Sequence, residues 1–330
     1  MKLETIQRLV KASGVTEGEM ILIHFWGEDA DREAANQFAA AVAAAGATPV
    51  VLQQARSVNR EIFSLAKQSC YGEKYYELFR QFDAVLDVFA YRPVILGYEL
   101  EEEQMELYRR YMSGLFRQLT CCRRFTQIRV PTEANAEEAG LDPKDYIRRM
   151  DSAYDIDYDL LAEKCRYEAE RLTGAEKVTV TTGKDCLLRL DLTGRKWITD
   201  AGDGDLPCGE IYIAPVENRT NGRVHFGTLW LDGREYTDIT LEITDGEVTG
   251  SSNEEAAKYF AEMSRADRTV CELGLGMNPN VKELCGYTLL DEKAAGTFHI
   301  AVGANQMFGG MNEASDHIDF VGYGKVEAIV

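Results

Sequence analysis

Residues 19–54 read as strand, helix and strand joined by short links, an order that few folds accept. EMILIHFWG (19–27) is an apolar run of strand length. Glu28 to Ala45 is an Ala-rich helix with acids at its positively polarised N-terminal end, Gly46 stops it, and ATPVVLQQ (47–54) resumes as a strand. A βαβ unit sets its two strands parallel, so the N-terminal part is predicted to be α/β with parallel sheet. DAVLDVFA (83–90) reads as a third strand. ELEEEQMELYRRYMSGLFRQL (99–119) reads as a helix, acidic at its start and basic toward its end. Another helix runs from about Asp157 to Leu172 and closes at Thr173-Gly174.

Beyond that point the pattern changes. KVTVTT, CLLRLDL, EIYIAPV, VHFGTLWL, DITLEI and GEVTG alternate apolar and polar residues across 177–250, separated by Gly and Asp turns. This is the signature of antiparallel strands. SNEEAAKYFAEMSR (252–265) interposes a helix, and TVCELGLG (269–276) and TFHIAVG (297–303) return to strand. A chain of 330 residues is long for one core. The expected organisation is an α/β N-terminal domain over 1–172 and a β-rich α+β metal-binding domain over 173–330.

The net charge of −19 argues against nucleic acid or an anionic membrane surface as the partner. No run reaches the roughly 18 apolar residues of a membrane span. The N-terminus MKLETIQRLV has no apolar signal region, and none of the eight cysteines forms a C-x-x-C pair. These features predict a cytoplasmic protein with reduced thiols.

Chemistry concentrates in the second half. In SDHIDF, His317 and Asp319 are two apart and would share one face of a strand, an imidazole beside a carboxylate. Glu210 opens EIYIAP, Glu272 lies inside TVCELGLG, and His299 lies inside TFHIAVG. An ionised carboxylate among such neighbours costs several kcal/mol unless it is paired or bound to a cation. Taken singly, each has a plain alternative. Glu210 could be solvated, Glu272 could pair with Arg268 or Lys293, His299 could be a satisfied core residue, and His317 and Asp319 could bond each other. Together, three carboxylates and two imidazoles suit Zn, Mn, Co or Fe better than Mg or Ca.

His24 in ILIHFW and His225 in VHFGTLW read as structural, and Cys208 and Cys271 as packing residues with no histidine neighbour apparent in sequence. There is no H-E-x-x-H helix and no G-x-S-x-G elbow, and TTGKD (181–185) lacks the first Gly and the Ser/Thr of a P-loop.

Four blocks carry a family resemblance: LPCGEIYIAPVENRTNGRVHF (206–226), CELGLGMNP (271–279), LLDEKAAGTFHIAVG (289–303) and GGMNEASDHIDF (309–320). In this order they resemble the thermophilic metallo-aminopeptidases of the aminopeptidase T and aminopeptidase S type, a leucyl aminopeptidase-like group. The resemblance implies a hydrolase that releases N-terminal residues from peptides with water activated by two divalent metals (Zn, Co or Mn). It places the ligands on Glu210, Glu272, His299, His317 and Asp319, and implies a homodimer. Glu292 and Asp291, beside Lys293, are the candidates for taking the proton of that water. Two features depart from the family: Gln306 stands where a Tyr is expected, and the segment between His299 and His317 is short. The resemblance extends to a ring-cleaving dihydroxypyridine dioxygenase. A mononuclear Fe(II) site on the two histidines and Asp319 is therefore the alternative expectation, and a member without turnover is a third.

Overall fold

The computed structural model describes residues 1–94 and 100–329. The chain sorts into two compact units, Met1–Tyr158 with Gly202–Pro207, and Asp159–Ala201 with Cys208–Val330.

The first unit is α/β. Helix α1 (Leu3–Ala12) precedes β1 (Met20–Trp26), α2 (Arg32–Ala44) and β2 (Thr48–Gln54). Next come α3 (Arg56–Leu65), α4 (Glu73–Glu77), β3 (Ala84–Phe89), α5 (Glu102–Thr120), β4 (Arg124–Arg129), α6 (Glu133–Glu138) and α7 (Pro143–Tyr154). Strand β1 is flanked on both sides by parallel partners, β2 and β3. A strand covered on both faces must be apolar almost throughout, which explains ILIHFW. Its one polar side chain, His24, bonds through Nδ1 to Asp87 at 2.7 Å and through Nε2 to the Gln54 amide at 3.1 Å, so its role here is structural. Pro49 is tolerated because β2 is an edge strand. In the sequence, β4 was hidden by its polar composition, RFTQIR, in which only Thr126 and Ile128 are buried. Of the helix expected over 99–119, Glu99 lies outside the described residues.

Helix α8 (Tyr158–Leu172) carries the chain into the second unit, which begins at Asp159. Its buried side chains, Leu161, Cys165, Ala169 and Leu172, repeat at helical spacing. Strands β5 (Lys177–Thr182), β6 (Cys186–Asp191) and β7 (Ile198–Asp200) follow. The short β8 (Asp205–Leu206) belongs to the first unit, where it pairs in parallel with β4. The second unit then continues with β9 (Glu210–Ile213), β10 (Asn221–Leu231), β11 (Arg234–Thr244), β12 (Glu247–Ser251), α9 (Glu254–Glu262) and β13 (Val270–Gly276). It ends with α10 (Thr288–Asp291), β14 (Thr297–Gly303), β15 (His317–Tyr323) and β16 (Lys325–Ile329). Asn253 caps α9 by accepting from the backbone N–H groups of Glu255 and Ala256, which trims the helix expected over 252–265.

Two antiparallel sheets result, in the orders β12-β11-β10-β6-β5-β16 and β15-β14-β13-β9-β7. They meet through Phe226 of β10, Phe298 of β14 and Phe320 of β15, joined by Phe260 of α9, with ring centroids 5.8 to 6.3 Å apart. No helix among the described residues is long and apolar enough to cross a membrane.

Candidate metal centre

The five-stranded sheet turns its other face to chemistry. In an antiparallel ladder, directly opposed residues project to the same side. Gly276 opposes Glu210, Gly274 opposes both Tyr212 and His299, Ala301 opposes both Glu272 and Asp319, and Gly303 opposes His317. Glu210, Glu272, His299, His317 and Asp319 therefore share one face, carried by β9, β13, β14 and β15. Each faces a Gly or Ala across at least one ladder, and those small partners leave room for the longer side chains. At 274 the fit is absolute: a Cβ there would lie 1.9 Å from Nε2 of His299.

A β-bulge sets the facing of Glu272. Val270 opposes Val302 while Glu272 opposes Ala301, so two steps along β13 match one on β14. Val270 thus faces away from the site, and Glu272 faces into it.

The side chains close on one another. Nε2 of His299 lies 3.1 Å from Oε1 of Glu272 and 3.5 Å from Oε2 of Glu210. Nε2 of His317 lies 3.6 Å from Oε2 of Glu272 and 3.4 Å from Oδ1 of Asp319. Glu272, His317 and Asp319 each offer a donor atom within 4.8 Å of the others. Glu210 and Glu272 are only 7% and 6% exposed. Lys293, 2% exposed, reaches Oε1 of Glu210 at 2.5 Å and Oε1 of Glu292 at 2.7 Å. The lysine pairs with Glu210, not with Glu272, and Arg268 pairs with Glu247.

Four carboxylates (Glu210, Glu272, Glu292 and Asp319) thus gather with two imidazoles, and the Lys293 ammonium pairs with two of them, Glu210 and Glu292. Two like charges 4 Å apart repel by about 4 kcal/mol at an effective dielectric of about 20. The imidazoles register this excess. Burial alone would discourage protonation of His299, but the hydrogen bond to Glu272 and the charges of Glu210 and Asp319 outweigh it and lift the ring to about 9. His317 is likewise lifted against burial, by Asp319 first, to about 12. Burial raises Glu272, and burial also raises Glu292 to about 8 despite the neighbouring Lys293.

The residues fit a divalent cation. Nδ1–H of His317 donates to the Ala304 carbonyl at 2.8 Å, which turns Nε2 toward the carboxylates, where a cation that displaces its proton would find a ligand. Oε2 of Glu210 and Nδ1 of His299 are buried without a hydrogen-bond partner. A buried polar atom left in that condition costs about 1–3 kcal/mol, and for the Glu210 oxygen a cation removes the cost.

Glu292 and Asp291 separate in role. Asp291 accepts from the backbone N–H groups of Cys285 and Gly286 at 2.7 to 3.0 Å, and from the Cys285 thiol at 3.4 Å, so it secures the preceding loop. Glu292 stays with Lys293. Sequence reasoning missed Tyr212, although its spacing of two from Glu210 puts it on the same face. Its phenol is raised, by burial first and then by the charges of Glu210, Asp200 and Glu272, and so remains a hydrogen-bond donor. Cys271 does have a histidine neighbour, His317 Nδ1 at 3.6 Å. Burial nevertheless pushes its thiol up to about 11, which keeps it a protonated packing residue. Gln306 bonds Glu313 at 2.9 Å within its own loop. That loop is tied down by Glu217, which accepts from Met311 N–H at 2.7 Å, Asn305 at 3.3 Å and Arg195 at 2.7 Å.

The donor set on this sheet face is that of a candidate divalent-metal site. The family model for thermophilic metalloprotease (M29) matches residues 7–322, so the chain belongs to that family and is an enzyme of the hydrolase class. Among solved structures, wild-type AmpT from Thermus thermophilus is similar at 21% identity and TM-score 0.67, over 99% of this chain and 97% of that one. The 2,5-dihydroxypyridine dioxygenase from Pseudomonas putida KT2440 is similar at 15% identity and TM-score 0.65, over 99% and 93%. No curated protein sequence matches. Identities this low carry the fold alone.

Proposed function

We propose that this protein is a two-metal aminopeptidase, with Glu210, Glu272, His299, His317 and Asp319 as the ligands and peptides as the substrates. The observation that carries the reading is the convergence of five donors from four strands on one face, with a buried carboxylate oxygen of Glu210 left unpartnered. Bound divalent metals supply a water of near-neutral pKa and polarise an amide carbonyl. The chain's own groups do the rest. The Ala304 carbonyl fixes the His317 ring. Lys293 holds Glu210 and Glu292 in place and offsets part of their charge. Glu292, held by Lys293 beside the ligand Glu210, is placed to accept a proton at its carboxylate and release it to the leaving amine. Asp291 is occupied at the 285–286 loop and is left out of this role. The expected setting is cytoplasmic, in keeping with eight free cysteines, and the expected assembly is a homodimer.

The test is hydrolysis of aminoacyl p-nitroanilides after loading with Zn, Co or Mn, with metal content measured on the same sample. Hydrolysis supports the proposal. Bound metal without hydrolysis under any of the three ends the peptidase reading. One iron per chain with oxygen uptake on a dihydroxylated ring would establish the dioxygenase alternative instead.

A further inference from the structure

We propose that a cleft beside β15 is the subsite for the part of a short peptide that follows the scissile bond, and that Lys282 holds the peptide's free C-terminal carboxylate. This rests on the aminopeptidase reading and narrows its substrate class to short peptides with an unblocked C-terminus. The cleft measures about 500 Å³ and is walled by Trp230, Leu284, Val321 and Tyr323, with His225 and Lys282 as its basic groups. That volume falls within the roughly 300–1,000 Å³ of small-ligand sites, and the mixture of apolar wall and few polar groups is theirs too.

Two physical links join the cleft to the metal face. Val321 directly opposes His299 in the β14–β15 ladder and lies two residues beyond Asp319 on the same face. The loop bearing Lys282 and Leu284 runs into α10 and then to Glu292 and Lys293, whose ammonium touches the ligand Glu210. From Asp319 to Tyr323 is about 13 Å of strand at about 3.3 Å per residue, so an extended tri- or tetrapeptide with its amine at the ligands reaches the cleft.

Charge selects the ligand. His225 has Asp238 3.5 Å from its Nε2, and Lys184 pairs with the same Asp238. Glu283, also at the cleft, is engaged in the fold. Lys282 is exposed and makes no ion pair among the described residues. In a chain of net charge −19, an uncommitted ammonium beside aromatic walls is a place for a carboxylate carried on an apolar residue.

The experiment compares leucyl-glycyl-phenylalanine with its C-terminal amide, both as substrates of the metal-loaded enzyme and by calorimetric binding to chelator-treated protein. One charge-assisted contact is expected to favour the free acid by about tenfold in kcat/KM and in affinity. Lys282→Ala should bring the acid-to-amide ratio close to one, Lys282→Arg should retain it, and Lys282→Glu should invert it. Hydrolysis of leucine p-nitroanilide by the unaltered enzyme, together with equal handling of acid and amide, would overturn the subsite while leaving the aminopeptidase standing. Failure to hydrolyse the anilide with metal bound would overturn the peptidase reading, and the subsite with it.

Discussion

Replacing Gly274 with Ala adds one methyl group in the middle of the sheet and tests whether the His299 imidazole is held across β13 as a ligand. The new Cβ would lie 1.9 Å from Nε2, 2.1 Å from Cε1 and 2.8 Å from Cδ2 of that ring. Ordinary contact begins near 3.4 Å, so the shortfall is about 1.5 Å, and the ring cannot keep its present position. The imidazole must swing off Glu272, or β13 and β14 must separate. Overpacking of this kind costs about 1–3 kcal/mol of stability. A displacement of about 1 Å at a reacting centre costs on the order of 100-fold in rate. Circular dichroism should therefore show a folded but less stable protein, elemental analysis should show lost metal, and kcat/KM on an aminoacyl anilide should fall by about two orders of magnitude or more. Gly72→Ala, in the first unit and with nothing within 4 Å of the new Cβ, is the control for metal content and turnover. A Gly274→Ala protein with full metal content and unchanged turnover would refute the placement of His299.

Lys293→Met should destabilise the chelator-treated protein by about 3–5 kcal/mol in urea melts, because it strands the buried carboxylates of Glu210 and Glu292. The loss should shrink when divalent metal is restored, and a loss below about 1 kcal/mol would deny the lysine this role. The metal-free protein should also weaken as pH rises. His299 at about 9 and His317 at about 12 stand above the usual 6.5, so their stabilisation is complete below about pH 6.5 and is lost as pH rises through the folded values. Glu292, raised to about 8 from 4.5, acts in the same direction across its own window. Melting temperature after chelation should thus fall between about pH 6.5 and 9, while the loaded enzyme resists because metal replaces the protons. Parallel profiles for the two forms would contradict this.

Much of the site was legible because a strand repeats every two residues. His317 and Asp319 announce a shared face by spacing alone, and Glu210, Glu272 and His299 stand out as polar groups inside apolar runs. What sequence spacing could not show is which residues oppose one another across strands. The bulge at 270–272 turns Glu272 inward, and nothing in VCELG distinguishes that register from its neighbour. Gly274 and Ala301 look like generic small residues until the ladder sets them opposite ligands. Lys293 was visible beside Glu292, but its bond to Glu210 spans 83 positions. Asp291 and Glu292 are adjacent in sequence yet diverge in space, since α10 turns one toward the 285–286 loop and the other toward the lysine. In the first unit the apolar β1 and β3 were readable, whereas β4, with two buried side chains, was not.

Metal stoichiometry of the purified protein, taken by elemental mass spectrometry after dialysis and repeated on Glu210→Ala and Asp319→Ala proteins, tests the central claim most directly. The account predicts two divalent ions per chain in the unaltered protein and fewer in each variant. A protein that binds no transition metal, or two variants that keep the full complement, would contradict it.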